Sequence, residues 1–400
     1  MMRQSETSAT FAAAIVLVVG MGFGRFAFTG LYPLMVADQQ ISVEGGSYAA
    51  SANYAGYLVG ALLAALLSGI SNRRLCAFAV VTTVASLALL ALPMPAWLIV
   101  VVRGFSGVSS AVAMVAASNW LIHERRHHHG APALFAGVGV GILVSAEMIA
   151  TGHLATLSSH AIWMVLALGA LALTVVSITM QASADRLEPA RMASHRGSEA
   201  QAPPPFGATR LILIYGLAGL GYIITATYLP LLVRSAIAVD PVHIWAVFGF
   251  GAVPSCFVWH ALHERLGTSR SLIGNLALQA VGVVLPVWHT PAAYILSALL
   301  VGATFMGTVT IAMPAARRVA AKVRFNMLAI MTAAYGIGQI IGPLMANALY
   351  ARTGSFDLPL MLAASALMLA ACLCIGGPNN KILQQHMAED QHLTPKPGSR

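Results

Sequence analysis

The sequence predicts an all-α integral membrane protein with twelve transmembrane helices arranged as two six-helix halves. Of its 400 residues, 58% are hydrophobic and only 9% are charged, a composition that soluble globular domains do not have. Apolar runs of about 20 residues, the length that crosses roughly 30 Å of hydrocarbon, recur along the whole chain. A polar, proline-bearing stretch at residues 181–208 separates six such runs from six more.

The predicted helices follow these runs in chain order. In the first half they lie near residues 11–36, 47–69, 75–92, 96–121, 132–154 and 161–180. In the second half they lie near residues 209–233, 242–262, 271–288, 291–313, 325–350 and 357–376. The predicted organisation is therefore an N-terminal bundle at 1–180, a cytoplasmic linker at 181–208, a C-terminal bundle at 209–376 and a cytoplasmic tail at 377–400.

The distribution of basic residues predicts the orientation in the membrane. Of the 22 Lys and Arg residues, only Arg234 and Arg352 lie in one set of loops, and two more lie inside apolar runs. The other eighteen lie in the opposite loops and tails, so the positive-inside rule predicts cytoplasmic termini in a bacterial inner membrane. The net charge of +9 is then explained by topology and by contact with anionic lipid headgroups, and nucleic acid is not expected as a partner.

An internal repeat relates the two halves. Gly22, Gly24 and Arg25, followed by Pro33, correspond to Gly219, Gly221 and Tyr222, followed by Pro230, at a constant offset of 197 residues. A weaker correspondence places Gly137 and Gly139 over Gly336 and Gly338. Matching halves in parallel orientation are expected to hold a substrate between them near the membrane midplane.

Several motifs resemble those of the major facilitator superfamily. Residues 103–107 (RGFSG) resemble its R-x-x-x-G signature in the fourth helix, and residues 264–270 (ERLGTSR) resemble its cytoplasmic D-R-x-G-R-R loop. The other copy of that loop is shortened to residues 71–74 (SNRR). Residues 22–29 (GFGRFAFT) and 50–61 (ASANYAGYLVGA) resemble the YbfB/YjiJ-type branch of the superfamily.

This resemblance implies a major facilitator fold over nearly the whole chain, with helices 1, 4, 7 and 10 around the central cavity. It also implies that the cytoplasmic loops act as gates that brace one state of the transporter. The predicted gating residues are Arg73, Arg74, Glu264, Arg265 and Arg270.

Three charged residues fall within apolar runs, where a charge costs about 2.5–3.5 kcal/mol even on the lenient insertion scale. Arg25 lies about 20 Å along its helix, near the midplane. Arg103 and Glu147 fall at similar depths on consecutive helices, so we expect them to be able to pair. That pair either couples transport to protons or is purely structural.

Arg25 is predicted to hold the substrate. Its own half offers no acid at depth except Glu147, and a guanidinium presents a planar, two-pronged donor that suits a carboxylate or phosphate. Tyr32 shares its helix face and Tyr222 is its counterpart in the repeat. Asn53 and Tyr57 are the next candidates. Other polar residues at depth line a pathway or bond across helices, among them Tyr54, Tyr228, Tyr335 and Gln339.

Other chemistry finds little support in the sequence. The chain has no nucleotide-binding loop of the G-x-x-x-x-G-K-[ST] type, which argues against ATP as the energy source. His127, His128 and His129 follow Glu124 in a basic loop, where a solvated turn is favoured over a metal site. No cofactor, metal or obligate protein partner is expected, and no triad or carboxylate pair indicates an enzyme.

The function that these observations favour is secondary transport of a small organic anion, coupled to protons by alternating access. The alternative is a proton-coupled antiporter that exports drugs or metabolites, which the motif at Arg103 favours slightly and the cationic cavity disfavours. A non-transporting membrane sensor is a third hypothesis from a different class.

Overall fold

Helices form along the apolar runs throughout the part of the chain described by the computed structural model, which covers residues 2–66, 69–187, 206–234, 240–320, 322–324 and 327–375. The predicted all-α class is confirmed, and these residues contain no strand. Most of the predicted linker at 181–208 and all of the predicted tail at 377–400 lie outside the described residues.

The first half of the chain contains six helices. Helix α1 runs without a break through Met2–Leu17, a π-helical segment Val18–Phe26 and Ala27–Ala37. The next five are α2 (Val43–Leu66), α3 (Asn72–Leu90), α4 (Ala96–Glu124), α5 (Ala131–Leu154) and α6 (Ser159–Leu187).

The second half begins with α7 (Ala208–Val233) and a helical stretch Pro241–Val284 that is broken at Gly267. Gly267 has φ 75° and ψ 172°, a conformation that costs glycine little because it has no Cβ. The break separates α8 (241–266) from α9 (268–284). The last three helices are α10 (Pro291–Ala320), α11 (Met327–Thr353) and α12 (Asp357–Leu373).

Nine helices among the described residues are long and apolar enough to cross a membrane. One of them, Pro241–Trp288, has 48 residues and would be about 72 Å long as a single rod. The break at Gly267 divides it into two arms of membrane-crossing length. Val43–Leu66 and the shorter apolar helix Asp357–Leu373 complete the set. Each predicted span therefore corresponds to a helix in the structure.

The repeat detected in the sequence corresponds to equivalent helix packing. A Cβ atom added at Gly22 on α1 would collide with the backbone of Gly141 on α5. A Cβ atom added at Gly219, the counterpart of Gly22, would collide with the backbone of Tyr335 on α11. Small residues let helix backbones approach closely in membrane proteins. The first helix of each half therefore packs against the fifth helix of the same half.

Several helix pairs join the two halves. Helix α5 packs against α8, α2 packs against α11, and the Ala27–Ala37 part of α1 packs against α7. Helices α1 and α7 therefore lie at the interface between the halves. Arg25 is on the α1 side of this interface and Tyr222 is on the α7 side. We call the face at which α1 begins the N-face, and the face at which α1 ends the distal face.

Candidate functional site

Arg25 lies in the π-helical segment of α1 with only 3% of its surface exposed. Its Nη2 atom donates a hydrogen bond of 3.0 Å to Oε1 of Gln339 on α11. Its Nε and Nη1 atoms are buried and have no hydrogen-bond partner among the described residues. Segments of π-helix are rare and frequently occur at functional sites. The predicted buried cation is therefore present, and two of its three donor nitrogens remain available.

Gln339 connects Arg25 to Tyr222. The Nε2 atom of Gln339 donates a hydrogen bond to the hydroxyl of Tyr222, while its Oε1 accepts the bond from Arg25. The repeat-related residues Arg25 and Tyr222 are thus linked through one side chain of α11. All three residues are buried, so the chain of bonds crosses the interface between the halves within the protein interior.

Aromatic rings surround the guanidinium of Arg25. Its central carbon lies 4.1 Å from the ring centroid of Tyr57, 4.9 Å from that of Tyr54 and 5.4 Å from that of Phe26. A cation within about 6 Å of an aromatic face is attracted by the ring quadrupole. These ring contacts therefore stabilise the buried charge.

The expected pairing of Arg103 with Glu147 is wrong in this structure. Arg103 is buried, and its Nη1 and Nη2 atoms donate to the backbone carbonyls of Gly24 and Arg25 at 2.8 and 3.0 Å. Its guanidinium also lies 4.4 Å from the ring centroid of Phe28. Arg103 therefore holds the α1 backbone at the position of Arg25.

Glu147 lies on the exposed side of α5, with 53% of its side chain accessible. Residue spacing predicts that Glu147 lies at the same membrane depth as Arg103. Two residues at one depth can nevertheless point in different directions around their helices. The neighbouring Ala146 and Ile149 occupy the buried face. Glu147 instead lies 3.6 Å from Nδ1 of His243 on α8.

A second pair lies close by on the same two helices. Nδ1 of His153 on α5 contacts Oδ2 of Asp240, the residue that caps α8 through a 3.0 Å bond to Val242 N. The two pairs are reciprocal, because α5 supplies the acid in one and the histidine in the other. His153 and Asp240 also line a cavity of about 160 Å³ that includes Arg234.

Tyr32 and Asn53 lie away from the guanidinium of Arg25. Tyr32 is about 10 Å further along α1 toward the distal face. Its hydroxyl donates to the carbonyl of Val43 at 2.6 Å, and its ring stacks on Phe28. Asn53 donates to the carbonyl of Arg103 at 2.9 Å and so joins α2 to α4. Their role in substrate binding stays a prediction.

Hydrogen bonds between the halves cluster from the depth of Arg25 to the distal face. Trp245 donates to the carbonyl of Phe26 at 3.0 Å, and Thr29 donates to the carbonyl of Ala226 at 3.0 Å. Further bonds join Tyr54 to Thr227, Tyr228 to Ser47 and Ser51 to Ile340. The halves are therefore closed against each other on the distal side of Arg25.

The predicted gating residues lie at the opposite end, on the N-face. Arg73 and Arg74 are exposed in the first turn of α3. Glu264, Arg265 and Arg270 are exposed on either side of the Gly267 break, and Glu264 lies 3.3 Å from His260 on its own helix. The contact of Glu264 lies within one helix, and the gating role of these five residues stays a prediction.

Gln339 and Tyr54 are the site residues that sequence reasoning did not select. Both belonged to the larger set of polar residues at membrane depth, and nothing in the chain marks which of these point to Arg25. A usable signal was the spacing of Tyr335 and Gln339, which lie four residues apart and share one face of α11. Among the described residues, no group of three His, Cys, Asp or Glu side chains is placed to hold a metal ion.

Comparison with known proteins identifies the family and the fold of this chain. A family model described as "Uncharacterised MFS-type transporter YbfB" matches residues 17–375. No curated protein sequence matches the chain. A crystal structure of a single-residue mutant of the nucleoside transporter NupG is similar to this chain with a TM-score of 0.65 at 12% identity, covering 92% of this chain and 99% of the other. At that identity the likeness concerns the fold alone.

Proposed function

Because the chain belongs to the YbfB-type family of major facilitator transporters, we propose that it moves a small organic anion across a bacterial inner membrane by alternating access, with protons linked to the cycle. It is a multi-pass membrane protein of a transporter family. The anionic substrate, the link to protons and the orientation in the membrane are the proposed parts.

The observation that carries the proposal is the state of Arg25. A cation at membrane depth is costly unless it is paired or serves a ligand. Here one donor nitrogen bonds a neutral amide, and Nε and Nη1 have no partner among the described residues. A carboxylate accepts two parallel bonds from one edge of a guanidinium, and each such edge of Arg25 combines the unbonded Nε or Nη1 with the second N–H of Nη2. Arg25 would bind the anion, with Gln339 and Tyr222 fixing the direction of its guanidinium.

The position of this site supports alternating access. Arg25 lies where the hydrogen bonds between the halves begin, and these bonds continue to the distal face. If the basic N-face is cytoplasmic, as the positive-inside rule predicts, the closed side faces the periplasm. The substrate would then leave toward the cytoplasm when the halves separate on that side of Arg25.

The two reciprocal pairs between α5 and α8 are the proposed link to protons. A protonated imidazole of His153 or His243 attracts the carboxylate beside it, Asp240 or Glu147, and joins the halves on the distal side. An acidic periplasm would therefore favour closure on that side. This assignment replaces the expected Arg103–Glu147 pair, because the structure places Glu147 beside His243.

Ligand binding to the purified protein tests the anion site. We expect organic carboxylates to bind the wild-type protein, whereas neutral uridine and cationic dyes do not. Arg25→Gln should weaken carboxylate binding about 30-fold or more, because truncating one partner of a buried charge pair costs about 2–5 kcal/mol. Arg25→Lys keeps the charge but loses the two-pronged geometry, so we expect it to bind poorly as well.

Thermal unfolding of each variant is the control for folding. Arg352→Gln, which changes an exposed arginine on the distal face, should bind like the wild type. Wild-type affinity in Arg25→Gln, or tight binding of a cationic dye that survives this substitution, would exclude the anion site.

A further inference from the structure

Aromatic rings from the C-terminal half form a continuous stack beside the Arg25 site. Phe305 on α10 lies 5.8 Å from Tyr222, Tyr222 lies 5.8 Å from Tyr335, and Tyr335 lies 4.5 Å from Tyr215. Their planes are within 24–29° of parallel. Phe26, which contacts the guanidinium of Arg25, lies 5.8 Å from Phe305 and joins this stack to α1.

The N-terminal half contributes its own rings on the other side of the guanidinium. Tyr57 and Tyr54 on α2 both lie within 5 Å of the guanidinium carbon of Arg25. Most rings of the whole set are buried, but Tyr57 and Tyr335 are half-buried. These two tyrosines come from opposite halves. Each is therefore only partly covered by its neighbours.

We propose that the transported anion is a flat aromatic monocarboxylate. Its carboxylate would accept one bond from the unbonded Nε or Nη1 of Arg25 and a second from the remaining N–H of Nη2, and its ring would lie between Tyr57 of one half and Tyr335 of the other. This inference rests on the proposed anion site and adds the class of substrate. Aromatic rings prefer offset stacking or edge-to-face contact with other rings, so such a lining selects a planar π system over an aliphatic chain of equal size.

The charge of the site supports a single carboxylate rather than a dianion. Among the described residues, Arg103 is the second arginine near α1, and both of its Nη atoms already bond the carbonyls of Gly24 and Arg25. A phosphate ester or dicarboxylate would bring a second negative charge, and the backbone bonds of Arg103 leave only its Nε atom unbonded. A buried charge without a charged partner is strongly disfavoured.

Three probes of similar shape separate the contributions of charge and ring. Benzoate has both, cyclohexanecarboxylate has the charge without a π face, and benzamide has the ring without the charge. With the purified full-length protein we expect benzoate to bind about tenfold more tightly than cyclohexanecarboxylate, and benzamide to bind too weakly to measure. Tyr335→Leu should reduce the preference for benzoate to less than threefold, while Tyr57→Phe should retain it.

Tyr350→Leu is the matched control, because Tyr350 is also half-buried on α11 but stacks on Phe356 toward the distal face. It should keep the wild-type preference. Equal affinity for the two carboxylates would overturn the aromatic assignment and leave the anion site intact. Preference for a dianion such as succinate would do the same. Failure of the folded protein to bind any organic anion would overturn both proposals.

Discussion

At the scale of single residues, Arg25 and Arg103 show two uses of a buried arginine. Arg103 directs both Nη atoms to backbone carbonyls of α1, and Ser106 donates to one of the same carbonyls, that of Gly24, at 2.6 Å. Arg25 donates from Nη2 to Gln339, and its Nε and Nη1 atoms remain unbonded. Arg103 therefore positions the backbone from which Arg25 reaches the space between the halves.

A double-mutant cycle on stability distinguishes this role from an ion pair with Glu147. We expect Arg103→Met and Glu147→Gln to change the free energy of unfolding additively, within about 0.5 kcal/mol, because the residues share no partner. Arg103→Met and Ser106→Ala should instead couple by about 0.5 kcal/mol or more, since both side chains bond Gly24. Reversible unfolding in detergent measures both cycles. A larger coupling with Glu147 would restore the ion pair expected from the sequence.

The sequence identified Arg25 and Tyr222 because a charge at depth and a repeat are both visible along the chain. It could not identify Gln339, since the link from Arg25 through Gln339 to Tyr222 depends on how α11 is rotated against α1 and α7. The mistaken pairing of Glu147 has the same origin. Residue spacing gives depth along a helix, whereas the direction of a side chain requires knowledge of the helices packed around it.

At the scale of elements, the helix spans followed from length and hydropathy, because a bilayer imposes about 20 apolar residues per crossing. The π-helical segment Val18–Phe26 was not predictable from these patterns, since its wider turn is stabilised by contacts with other helices. Ser110 and Ser106, for example, donate to the carbonyls of Gly20 and Gly24 at 2.6 Å. The segment that carries Arg25 thus takes its form from packing against α4.

The paired helices α5 and α8 should respond to pH through their reciprocal His–carboxylate contacts. A protonated imidazole attracts the carboxylate beside it, so we expect closure on the distal side to be stronger at low pH than at high pH. A cysteine in place of Leu34, which lines the cavity beside His153, should react with an impermeant maleimide at a rate that rises with external pH more steeply than thiolate formation alone explains. Arg234 is the other charged residue that lines this cavity together with His153 and Asp240.

The matched variant for that experiment is His153→Gln with His243→Gln in the same Leu34→Cys background. Neutral glutamines cannot gain charge, so the labelling rate should retain only the rise with pH that thiolate formation gives any accessible cysteine. His260→Gln, at an exposed position where the histidine pairs only with Glu264 on its own helix, should leave the pH profile unchanged. A steeper rise that survives the double substitution would assign the response to another group.

At the scale of the whole molecule, alternating access requires two similar halves to open one side of their shared central site while they close the other side. The contacts that close the distal side are numerous and include Thr29 to Ala226, whose positions differ by the repeat offset of 197. The site lies at the edge of this closed region. A ligand can shift the balance between the two states only through different affinities for them, so closure on the N-face must create contacts that this state lacks.

The exposed arginines beside Gly267 are the proposed source of such contacts. Arg265 and Arg270 lie on the N-face, where the resemblance to the superfamily implies that they brace the state closed on that side. Replacing both with alanine should therefore enrich the state observed here and slow turnover. Because the side chains do not reach Arg25, intrinsic affinity for the anion should stay within about threefold, a change of about 0.6 kcal/mol.

A cysteine at Ala333, in the N-face part of α11, should label faster in the double variant. Arg352→Ala, on the distal face, should leave both rates as in the wild type, and unchanged labelling in the double variant would limit this loop to setting topology.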